Sequence, residues 1–221
     1  MAHGYGSVVS PSLQPDPGGH RPRGALPTTP PPDAVSPARG PNAPAPGEPI
    51  PVHYRWCLGC GSDEPAGLHL RITAGEGLSV TSDLDVTEHH QGAPGLAHGG
   101  VLAFALDEVL GSLNWLLSAT TVTGRLEVDF RRPVPVGSRL RIDAEVVGIK
   151  GRKVFMRAVG RLGGPDGPLA VTATALFIQV PLAHFVDSAP GEFIQRAIDD
   201  RAAGGPAWRS AKESSAIEVN P

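Results

Sequence analysis

The sequence predicts an α+β domain in which one antiparallel sheet wraps a single long helix. Three observations carry this. Segments with apolar residues on alternate positions lie on both sides of one continuous apolar stretch, Val101–Leu117. That stretch is apolar around almost its whole circumference, which requires burial on most sides. The alternating segments after it succeed one another through turn signals with no helix between them, the pattern of antiparallel pairing.

Each element follows in order. Thirteen of the chain's 24 prolines fall in residues 1–50, which prevents a helix there and predicts a disordered, Pro/Gly-rich tail over residues 1–51. The folded domain is expected over residues 52–182. It opens with an irregular lead-in holding Trp56, Cys57, Cys60 and Pro65. A short strand, Leu68–Ile72, turns at Ala74–Gly77 into a second strand. In that strand Leu78, Val80, Leu84 and Val86 share one face. A loop rich in His, Gly and Pro, Glu88–His98, leads to the apolar helix. Leu126, Val128 and Phe130 then alternate, and Pro133 and Pro135 end that run. Leu140–Val146 and Val154–Ala158 continue the pattern. After the Gly163–Gly167 turn, Leu169–Val180 is apolar or small on both faces and is placed inside the sheet. Residues 183–221 form an extension, with one amphipathic helix through Phe185, Phe193, Ile194 and Ile198, ended by Gly204-Gly205-Pro206.

Composition excludes several classes. The formal net charge is -3 and the pI near 6.2, so there is no basic footprint for nucleic acid. Two cysteines do not make a disulfide scaffold. The N-terminus lacks a cationic segment followed by an apolar one, so no secretory signal is read and a cytoplasmic location is expected. Val101–Leu117 approaches the length of a membrane span, but Asp107, Glu108 and Asn114 interrupt it, and no span is expected.

The chemistry concentrates in Gln91-Gly92-Ala-Pro-Gly-Leu-Ala-His98-Gly99-Gly100 and in Asp107, eight residues after Gly99. The first N–H groups of a helix have no internal partner and carry the positive end of its dipole. Glycines let a ligand approach that backbone closely. Such a site suits an anion, or a carbonyl oxygen becoming one; the plainer reading is a tight turn into the helix. Asp107 stands inside a buried apolar helix, where a carboxylate needs a partner or a function. Burial raises its pKa and makes it a candidate base or nucleophile. Glu108 points about 100° away, toward solvent or a subunit interface. Gly99 and Asp107 are about 12 Å apart along the axis and roughly 80° around it. They cannot meet one carbonyl within one chain, so a site using both requires a homodimer or homotetramer.

These residues, followed by Thr123-x-x-Leu126-x-Val128-x-Phe130-x-Arg132-Pro133-Val134-Pro135, resemble the hotdog-fold thioesterases. Within that superfamily they are most similar to the phenylacetate-pathway-type and long-chain acyl-CoA thioesterases. The lead-in Cys57-x-x-Cys60-Gly61-x(3)-Pro65-x-Gly67-Leu68 is similar to bacterial members, and the resemblance covers residues 56–181. It implies the hotdog fold and hydrolysis of an acyl-CoA or acyl-carrier-protein thioester without cofactor. It also implies site roles. The Gly99 N–H polarises the thioester carbonyl, beside Gly100. Asp107 acts as general base on water or as nucleophile. Thr123 helps place the water, and His98 orients the turn. An Asn or Gln seven residues before the oxyanion glycine would fall on Gly92, with Gln91 one step off. Thioester hydrolysis suits one base and one oxyanion donor, because the thiolate leaves easily, and no Gly-x-Ser-x-Gly elbow is present.

Other candidates are weaker. His53, Cys57, Cys60 and His69 offer zinc ligands, but the spacing matches no common finger, and no metal is expected. His89 and His90 read as solvated loop residues. Phe104 and Trp115 read as core or as pocket lining. Arg131, Arg132, Arg152 and Lys153 offer phosphate contacts. Two rival functions stand beside the hydrolase: an enoyl-thioester hydratase or dehydratase using His98, and a binding module that has no need of Asp107.

Overall fold

The structure is a computed structural model and describes residues 26–202. Six strands form one antiparallel sheet: β1 (Ile72–Ala74), β2 (Ser79–Asp85), β5 (Thr121–Phe130), β6 (Arg139–Lys150), β7 (Lys153–Leu162) and β8 (Leu169–Gln179). Their order is β1-β2-β6-β7-β8-β5. A two-stranded hairpin, β3 (Gln91–Ala93) with β4 (Leu96–Ala97), leads into helix α1 (Gly99–Ser112). α1 packs against β2, β5, β6, β7 and β8, so the sheet wraps it as the sequence predicts. This is the hotdog fold. β8 is interior, between β7 and β5.

The core is the helix face against the concave sheet. Leu102, Ala105, Leu106, Val109 and Leu110 of α1 are buried against residues such as Leu84, Leu140, Ile142, Met156 and Ala175. Gly99–Leu117 is apolar enough to cross a bilayer by composition, and here it supplies the core instead. Leu106 is fully buried. Leu106→Ala is expected to remove about 2–5 kcal/mol of stability, read as a fall in the denaturant midpoint at unchanged slope.

Four sequence expectations change. First, the long helix is interrupted: α1 stops at Ser112, and a short α2 (Asn114–Leu117) ends at Ser118 with φ 53. Second, the strand expected over Leu68–Ile72 begins only at Ile72. His69 has φ 50, the left-handed region, and its Nδ1 lies 2.8 Å from the Gly61 carbonyl oxygen. Residues 68–70 therefore bond to the lead-in, Leu68 N–H to Leu58 O and Leu70 N–H to Gly59 O.

Third, the tail expected to be disordered is seated from residue 26 onward, while residues 1–25 lie outside the described region. Ile50 is 9% exposed in the core and donates to Ile72 O. Gly47 and Glu48 bond to Ala74, and Val35 exchanges two hydrogen bonds with Ile149. Gly40 N–H donates to Leu116 O at 2.7 Å and supplies a partner to a helix-end carbonyl. A side chain at Gly40 would strike Ser118 Oγ at 2.3 Å. Proline content forbids helix and central strand, but the donors left between the prolines suit an extended strap along sheet edges.

Fourth, the C-terminal extension holds two helices, α3 (Ala183–Ser188) and α4 (Gly191–Ala202). Pro190 divides them, since the residue before a proline avoids helical backbone and Ala189 is extended. The Gly204–Pro206 stop lies outside the described residues.

Candidate active site

Asp107 sits in the middle of α1 on the wall of a cleft of about 390 Å³. Thr123, on β5, donates its hydroxyl to Asp107 Oδ1 at 2.9 Å. Burial pushes the Asp107 carboxyl above its ordinary value, and the Thr123 hydrogen bond pulls partly back. Such a carboxylate is a better proton acceptor than a solvated one.

A bulge makes this contact possible. β5 pairs with β8 in one register up to Thr123↔Phe177 and in another from Arg125↔Leu176, so Gly124 is an extra residue. Strand side chains alternate faces, and one inserted residue reverses the parity. Thr121 and Thr123 before the bulge reach the helices, Thr121 donating to Asn114 Oδ1 at 3.0 Å. Leu126 and Val128 after it also face the core. A Cβ at Gly124 would lie 2.9 Å from Ile178 Cγ1.

The glycine-rich segment forms a separate part of the surface. His98 caps α1, its Nδ1 accepting from Gly100 N–H at 2.8 Å, and its own N–H donates to His90 O. It thus satisfies one of the free N–H groups at the start of α1. Gly99 is the first helical residue, where an N–H has no intrahelical acceptor. Gly92 must be a glycine, since a Cβ there would lie 2.7 Å from His98 Cα. Gln91 bonds within its own loop: Nε2 donates to Glu88 O and Oε1 accepts from Gly95 N–H. One donor and one acceptor position of its amide are therefore engaged in shaping the hairpin. Gln91, Gly92, His98, Gly99 and Gly100 do not line the Asp107 cleft. The separation inferred from helix geometry holds within one chain.

Two sequence expectations change at the other wall. Glu108 does not face open solvent. It turns to the lead-in, with Cys57 Sγ 3.6 Å from its Oε2. Burial and then the neighbouring Cys57 raise its pKa. His69 stands apart from the cysteines, whereas His53 lies 3.4 Å from Cys60 Sγ. Of the aromatic candidates, Trp115 lines the cleft beside Phe177 and Phe185; Phe104 does not. None of Arg131, Arg132, Arg152 and Lys153 borders the cleft, and Arg131 pairs with Asp129.

Residues 94–167, from the turn before α1 to the β7–β8 connection, match the family model described as the thioesterase superfamily. Over that third of the chain the sequence is similar to the thioesterase superfamily. Among curated relatives, it is 39% identical over 90 residues to the acyl-coenzyme A thioesterase THEM4 of Xenopus laevis, covering 41% of this chain and 40% of that protein. It is 37% identical over 90 residues to THEM4 of Bos taurus, covering 41% of this chain and 36% of that protein. The chain thus spans less than half the length of these relatives. The crystal structure of a thioesterase superfamily protein superposes with a TM-score of 0.52 at 27% identity, over 62% of this chain and 69% of that one. The matched thioesterase segment contains His98, Gly99, Asp107 and Thr123 together. The strap and the Cys57–Cys60 lead-in lie outside it.

If Asp107 drives a hydrolysis, Thr123→Val is expected to lower its turnover about tenfold, the order of one hydrogen bond to a charged group. It should also move the acidic limb of the pH–rate profile upward, because the hydroxyl that lowers the Asp107 pKa is gone. A pH series of kcat/KM checks both.

Proposed function

We propose that this chain is an acyl-thioester hydrolase acting on coenzyme A thioesters. Asp107 drives the attack, as general base on water or as nucleophile, and the Gly99 N–H of a second copy receives the carbonyl oxygen. The carrying observation is the Asp107–Thr123 pair on the wall of a mostly apolar cleft. A carboxylate with a raised pKa, held by a hydroxyl at 2.9 Å, is the equipment that activates water. Support also comes from the names of the relatives matched over the same segment. The division of the site between two copies rests on distance, since Gly99 lies outside the Asp107 cleft.

The test is release of free thiol from short, long and aromatic acyl-CoA substrates, with Asp107→Asn in parallel. Hydrolysis by wild type alone supports the reading and ranks the acyl groups. Equal rates in both proteins, or no hydrolysis by a folded wild type, overturn it. Trp115, Phe177 and Phe185 line the cleft. Trp115→Ala is therefore expected to shift preference toward longer or bulkier acyl groups, read as ratios of kcat/KM.

A further inference from the structure

The lead-in folds into a tight knuckle that the hydrolase chemistry does not use. Cys57, Cys60, His53 and Glu108 each offer one donor atom, and these four atoms lie within 4.8 Å of one another. Cys60 Sγ is 3.4 Å from His53 Nδ1, and Cys57 Sγ is 3.6 Å from Glu108 Oε2. A tetrahedral zinc ion with bonds of about 2.0–2.3 Å separates its donors by roughly 3.3–3.8 Å. The set is therefore near the spacing that a small tetrahedral cation requires.

The loop is built for this approach. Gly59 N–H lies 3.4 Å from Cys57 Sγ, and Gly61 N–H donates to Cys57 O at 2.8 Å. The Gly59 N–H directed at the Cys57 sulfur favours its thiolate, the form that binds metal, while the Gly61 bond holds the turn. A Cβ at Gly59 would lie 2.3 Å from the Glu108 carboxyl, so only glycine lets the helix carboxylate reach the cysteines. At Gly61 a Cβ would lie 2.4 Å from two backbone carbonyl oxygens. Cys60 is buried, and the other three are partly buried. As thiolates beside a carboxylate, largely shielded from water, these groups would repel one another without a cation between them.

We infer that His53, Cys57, Cys60 and Glu108 form a structural zinc site that clamps the lead-in onto the centre of α1. Two thiolates and an imidazole favour zinc over magnesium or calcium. Four protein ligands fill a tetrahedral ion, the arrangement of structural rather than catalytic zinc. The clamp grips Glu108, the residue next to Asp107, so the metal steadies the helix segment that carries the cleft carboxylate. This inference is independent of the hydrolase reading.

The test uses the full chain, purified under a phosphine reductant, stripped with chelator and titrated with zinc and, separately, with cobalt(II). The expected result is one equivalent of zinc after dialysis. Cobalt should give a thiolate charge-transfer band in the near ultraviolet and the intense visible bands of a tetrahedral centre. Cys57→Ser and Cys60→Ser are each expected to abolish the charge-transfer intensity or halve it. Glu108→Gln should weaken zinc at least about tenfold, while His69→Asn binds as wild type. Zinc should raise the thermal midpoint of the stripped protein in a concentration-dependent way. A reduced, folded wild type that retains no zinc overturns the inference, as does a weak octahedral cobalt spectrum. Full affinity in Glu108→Gln, or lost affinity in His69→Asn, overturns the ligand set.

Discussion

Asp107→Asn is expected to remain folded and to lose thioester hydrolysis by ~10²-fold or more, within the range for acid–base groups. The amide keeps the shape and still accepts the Thr123 hydrogen bond, but it neither takes a proton nor attacks a carbonyl. Stability should move the other way. Burial raises the Asp107 pKa above its unfolded value, so the folded state favours the neutral form. The stability associated with this group is present below the unfolded pKa and is lost as pH rises through the folded one. At neutral pH the ionised Asp107 therefore destabilises the fold, and asparagine removes that burden. Asp107→Asn should melt at a higher temperature than wild type at pH 7, with the gap closing toward pH 3. An inactive variant that is also less stable would indicate a structural role for the carboxylate.

The second large effect concerns Gly99. Gly99→Pro is expected to lower kcat by ~10²–10³-fold, the value of one oxyanion donor, while the fold survives. Proline is well tolerated at the first position of a helix, and Gly99 occupies it. His98 before it has φ -69 and ψ 133, the extended backbone that a residue preceding proline prefers. A Cβ at Gly99 meets only the Phe130 ring, no closer than 3.4 Å. The substitution thus deletes one N–H with little other disturbance, and Gly99→Ala, which keeps the N–H, should retain most activity. Mixing Gly99→Pro with Asp107→Ala chains then tests where the site lies. If it joins two copies, each mixed dimer holds one intact site. Equal mixing should restore about a quarter of wild-type activity for a two-fold dimer. No recovery after demonstrated subunit exchange would place both groups in one chain or exclude one of them.

The order of elements could be read from periodicity. Alternation in β2 and the later strands and the all-round apolarity of α1 leave few arrangements other than a sheet wrapped on one helix. Asp107 was legible for the same reason, as an acid where the pattern demands an apolar residue, and Gly99 as a glycine at the start of a buried helix. Glu108 was misread. Its neighbours on the helix say which way it points, but only the fold brings Cys57 and Cys60, some 50 residues earlier, to meet it. His53 and His69 flank the cysteines alike, and the left-handed backbone at His69 directs its ring to Gly61 O instead.

Residues 26–51 show the limit of composition. Prolines state what a segment cannot form, and they are silent on which edges of a sheet offer partners to the N–H groups that remain. The Gly124 bulge is similar: the chain shows only a glycine within a strand, and pairing with β8 is needed to count the extra residue. By itself the sequence determined the layers and the buried helix, and it singled out the acid at Asp107 and the glycine at the helix start, because burial periodicity is local. Tertiary structure decided the strap, the parity that turns Thr123 toward Asp107, and the cluster around Glu108. These depend on contacts between residues far apart in the chain, which local pattern does not encode.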